Sequence, residues 1–74
     1  MTFVIQSIIF FKSGWTKPGA IEWLKKHNKK TGIDEKEHTW RARQIDPSKF
    51  NNNTFRIKEI NDHMDFVIGV LKSK

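Results

Sequence analysis

No cysteine occurs in this sequence, so its fold must be held by apolar burial alone, without disulfides and without thiolate-bound metal. In 74 residues that is a tight requirement, because one small hydrophobic core is only marginally sufficient at this size. The core material is aromatic. Six Phe and three Trp are available, and each buries on the order of 150 to 250 Å² when enclosed. That supply suits a single compact two-layer domain over residues 1–74 and leaves no room for a separate catalytic domain. The missing cysteines fit an intracellular or virion setting at least as well as secretion.

Hydrophobic patterning predicts the order β-α-β-β-β. Thr2 to Phe11 is rich in Val, Ile and Phe, with polar Gln6 and Ser7 near its middle, and reads as a central strand covered on much of both faces. It is too short to span a membrane and lacks the basic start and small-residue cleavage site of a signal peptide. Thr16 can cap a helix that tolerates Pro18 in its first turn and runs from Lys17 to about Lys30. Its apolar stripe is Ala20, Ile21, Trp23 and Leu24, with His27 at its margin. Trp15 is placed to staple the helix start, and Gly32 to supply a left-handed stop. Ile33 to Glu37 reads as an acidic loop, followed by strands at His38 to Gln44, Thr54 to Ile60 and Met64 to Leu71. Asp46 and Pro47 end the first of these, and Phe50 is the apolar anchor of the loop from Pro47 to Asn53. The expected architecture is α+β: an antiparallel or mixed four-stranded sheet with one helix packed on one face. The other face is expected to be uncovered and partly apolar through Val4, Ile8, Val67 and Leu71.

Charge sets the functional expectation. The formal charge is +6 and the Lys and Arg total is 14, a balance that favours polyanionic partners. Arg41 and Arg43 alternate on one strand, and Arg56 and Lys58 on another, so each pair projects from a single face. If the two strands are neighbours, the four form one cationic surface for phosphates. Arginine suits that task because its planar fork holds two oxygens at once. The competing reading is a strand edge kept soluble by charge. Trp40 and Phe55 have the opposite parity and are expected in the core rather than stacked on bases. Lys25, Lys26, Lys29 and Lys30 either extend the phosphate surface or form an ordinary solvated helix face.

Other chemistries lack support. His27, His38 and His63 are scattered, with no ligand spacing, and no metal or cofactor is expected. Ser48, His63 and Asp65 supply the atoms of a hydrolytic set but no nucleophile motif, so an enzyme is not expected.

Taken end to end, Trp15-Thr16, Ala20, Trp23-Leu24-Lys25-Lys26-His27, Arg41-Ala42-Arg43-Gln44, Pro47, Phe50, Phe55-Arg56 and Val67-Ile68-Gly69 form a pattern of moderate specificity. It resembles a short domain found in proteins of tailed phages and large DNA viruses, also present beside phage head-maturation protease modules. The resemblance covers about Phe3 to Lys72. It implies a viral origin and a small helix-on-sheet domain and does not imply protease activity; action in the virion or the host cell interior is expected. Arg41, Arg43 and Arg56 are the basic positions it carries over, with Gln44 as a polar contact beside them. The resulting expectation is a non-enzymatic module that binds DNA or RNA through Arg41, Arg43, Arg56, Lys58 and Gln44. The alternative is a virion assembly protein acting through protein contacts or a homo-oligomer.

Overall fold

The computed structural model describes residues 2–72. The elements are β1 (Val4–Phe11), α1 (Lys17–Lys26), β2 (Asp34–Glu35), β3 (Thr39–Arg43), β4 (Arg56–Asn61) and β5 (Met64–Gly69), with 3₁₀ turns at Pro47–Lys49 and Asn52–Thr54. The α+β class is as expected, but the sheet has five strands rather than four, all antiparallel, in the order β2-β3-β1-β5-β4. The extra strand, β2, lies in the segment expected to be a loop. Two polar residues carry no readable period, and only the turn that bonds Lys36 N–H to Thr39 O at 2.8 Å places them beside β3.

β1 is central, as its apolar run predicts. Its Ile8 and Phe10 join Ala20 and Leu24 of α1, Ala42 of β3 and Met64 of β5 in the main core. All but Met64 are wholly buried and Met64 nearly so, and burying each of the larger side chains, Ile8, Phe10, Leu24 and Met64, stabilises by about 1.5 to 3 kcal/mol. Trp15 packs edge-on against Phe10, with ring centroids 4.8 Å apart, and Trp23 does so at 5.8 Å. Ile8 therefore belongs to the helix side, not to the uncovered face. Thr16 caps the helix as expected, its hydroxyl accepting from Gly19 N–H at 3.2 Å.

The helix ends at Lys26, a turn earlier than its lysines suggest, because Asn28 rather than Gly32 takes the left-handed conformation (φ 56°). Asn28 N–H donates to Lys25 O at 3.2 Å and Lys29 N–H to Leu24 O at 2.8 Å, the paired bonds of a Schellman stop. Everything from Lys29 to the start of β2 is consequently loop.

The second sheet face is not bare. Phe50 is wholly buried and Val67 nearly so, yet neither belongs to the helix-side core. Phe50 packs against Phe55, with centroids 5.4 Å apart, beneath a loop strapped to the end of β5. Asn51 N–H donates to Val70 O at 2.9 Å, Lys72 N–H to Lys49 O at 2.9 Å, and Thr54 Oγ1 accepts from Val70 N–H at 2.9 Å. The expected role of Phe50 as loop anchor is met.

Candidate functional site

The strand order separates the two basic pairs. β1 and β5 lie between β3, which carries Arg41 and Arg43, and β4, which carries Arg56 and Lys58. Parity divides them further. Arg41 and Arg43 are registered with Ile9 and Ser7 on the face away from the helix, whereas Arg56 and Lys58 oppose Ile68 and Phe66 on the helix side. Phe66 approaches Trp23 of α1 (6.3 Å). The single four-residue cationic face is therefore not formed. Alternation fixes which residues of one strand agree with each other, and says nothing about which face two non-adjacent strands share.

The face away from the helix is mixed in charge. One cross-strand row runs Asp34, Arg41, Ile9, Asp65, Glu59, and the next runs Arg43, Ser7, Val67, Ile57. Three carboxylates thus accompany two guanidinium groups. Arg41 is also partly engaged, its Nη2 donating to Gln6 Oε1 at 3.2 Å. Gln6 is the bulge residue of β1, where the pairing with β5 shifts register. Its buried amide is satisfied by Ser7 Oγ (2.7 Å) and Ile45 O (2.8 Å). Arg41 and Arg56 do border one shallow groove of 340 Å³, floored by Ile9, Val67 and Ile57. The Arg56 guanidinium is turned back to Phe55 O (2.8 Å) and Asn53 O (3.4 Å).

Gln44 has a different role from the one its position suggested. It is buried, and its amide bridges the loop after α1: Lys30 N–H donates to Oε1 at 2.8 Å and Nε2 donates to Lys30 O at 3.0 Å. With both ends of the amide used, Gln44 positions Lys30 instead of offering itself to a ligand.

The cations gather on the helix side. From Lys17 to Gly32 there are five lysines, Lys17, Lys25, Lys26, Lys29 and Lys30, against Glu22 alone. All but Lys29 are exposed, as are Arg56 and Lys58. Among the described residues none of these seven is in an ion pair; the pairs found are Lys12–Glu35 at 2.7 Å and His38–Glu37 at 3.8 Å. Cations without an ion-pair partner are free to engage an anionic one. The one-letter pattern left these lysines open between a phosphate surface and a solvated helix face, because a lysine cluster is the signature of both.

No set of three or more metal-ligating side chains occurs among the described residues. His63 meets neither Ser48 nor Asp65 in a hydrogen bond; its Nδ1 lies 3.1 Å from Ser13 Oγ at the surface. Its ring packs so close to Gly14 that a Cβ there would fall 2.3 Å from it, which makes this pair a fastening between two turns. No described helix is long and apolar enough to cross a membrane. Comparison with protein families, curated proteins and solved structures finds no match.

Proposed function

We propose that this chain is a non-enzymatic module of viral origin that binds nucleic acid through phosphates, with its main contact surface on the helix side. The observation that carries the reading is the segregation of charge: unpaired lysines dominate α1 and the loop after it, while the opposite sheet face balances its arginines with carboxylates. Lys25, Lys26, Lys29 and Lys30 are the principal contacts, and Lys58 extends the same side at the sheet edge, while Arg56, whose guanidinium turns back to Phe55 O and borders the groove of the opposite face, is a secondary one. Arg41 and Arg43 become secondary contacts, and Gln44 a positioning residue. Viral origin rests on the resemblance drawn from the sequence, and action in the virion or host cell interior is proposed alongside it.

Phosphate contacts position a protein on nucleic acid without reading its sequence. Affinity for a labelled mixed-sequence duplex or single strand should therefore fall steeply between about 50 and about 200 mM salt. An absence of binding to either strand form at the low end of that range overturns the proposal.

A further inference from the structure

Phe3 is exposed (47%), and every other Phe and every Trp among the described residues is at least partly buried. A single exposed apolar side chain is ordinary on a protein surface. Phe3 is set apart by its surroundings: it lines a groove of 530 Å³ that also takes in Asn28, Lys29, Lys30 and Ile45, where the start of β1 meets the end of α1 and the end of β3. Both lysines belong to the unpaired cationic group described above. Their backbone is held from two directions, by the Schellman stop at Asn28 and by the two bonds from Gln44 to Lys30. The groove therefore combines an aromatic face, two cations on a fixed loop, and in Asn28 a side-chain amide with donors and an acceptor for a base edge.

We infer that this groove binds an unpaired nucleobase, stacked on Phe3, with the phosphates on either side of it held by Lys29 and Lys30. The inference rests on the nucleic-acid reading and adds to it a contact that only a single strand can make. A ring on a groove wall can stack only on a base that is free of its own partners, and each such contact contributes enough to be measured. Duplex keeps its bases stacked internally and would use the lysines alone.

The test measures binding of labelled oligothymidylate and of a hairpin duplex, for the unchanged protein and for Phe3→Ala, Phe3→Leu and Phe3→Trp, at several salt concentrations. Phe3 lies outside the main core, so thermal melting should confirm that all three variants are folded. Phe3→Ala is expected to weaken single-strand binding about tenfold, the size of one stacking contact. It should leave duplex binding and the salt slope unchanged, since no charge is removed. Phe3→Trp should bind at least as well as the unchanged protein, and Phe3→Leu, which keeps apolar bulk without a π-face, should resemble Phe3→Ala. Full single-strand affinity in folded Phe3→Ala or Phe3→Leu would overturn stacking while leaving the phosphate reading intact. If the unchanged protein binds neither strand form at low salt, both proposals fall together.

Discussion

Gly69 near the end of β5 is the most constrained glycine of the sheet: a Cβ there would lie 2.8 Å from the Phe50 ring and 3.2 Å from Phe55. Both rings are enclosed or partly so, and neither can retreat without opening the second small core. Gly69→Ala should therefore destabilise by about 1 to 3 kcal/mol, the usual result of overfilling a packed site, which urea unfolding would measure. An unchanged midpoint would mean that the loop carrying Phe50 is not seated as described. Asp46 makes a subtler prediction. Hydrogen bonds from Ser48 hold its carboxylate below the usual pKa, with lesser help from Arg43 and Lys49. A depressed carboxylate contributes stability at pH above its unfolded value and loses it as pH falls through the folded one. Asp46→Asn keeps an oxygen acceptor for Ser48 N–H but cannot titrate, so its melting temperature should fall less steeply on acidification than that of the unchanged protein. Parallel curves would remove Asp46 from the acid response.

At the scale of elements, β1, α1, β3, β4 and β5 were all legible, because each has an apolar period or a cap that local chemistry dictates: Thr16 for α1, the Ile and Phe run for β1. Three features were not. β2 is too short to carry a pattern. The helix stop passed to Asn28 because an asparagine tolerates the left-handed region nearly as a glycine does, and four lysines of good helix propensity masked the boundary. The relation between the basic pairs depended on strand order, which is set by long-range pairing with β1 rather than by anything within β3 or β4. Gln44 shows how the same residue changes meaning: adjacent to Arg43 in sequence it looked like a ligand contact, but its buried amide ties the loop after α1 to the end of β3. Gln44→Ala should release that loop, and hydrogen exchange at the Lys30 amide should accelerate markedly while β1 amides stay protected. Unaltered exchange at Lys30 would show that the bridge does not order the loop.

For the whole molecule, the exposed edge is β4, since β2 is only two residues long at the other side. Two copies joined antiparallel through β4, with both helices on one side, must match residues of equal parity. Centring on Ile57 sets Arg56 against Lys58 twice, and centring on Lys58 sets that lysine against itself. Like charges directly opposite are destabilising, so β4 resists self-pairing even though Ile57 is 69% exposed. Light scattering should find a monomer, and Lys58→Val should introduce concentration-dependent association; a dimer of the unchanged protein would contradict this. The same distribution of charge underlies the central claim, that the anion-binding side is the helix side. The most direct measurement compares salt slopes for duplex binding in two double variants, Lys25→Ala/Lys26→Ala and Arg41→Ala/Arg43→Ala. Removing one cation that neutralises a phosphate lowers the slope by about 1. If the helix side is the contact surface, the slope falls by about 2 in the lysine variant and by clearly less in the arginine variant. A larger fall in the arginine variant would contradict the claim and return the contact surface to β3.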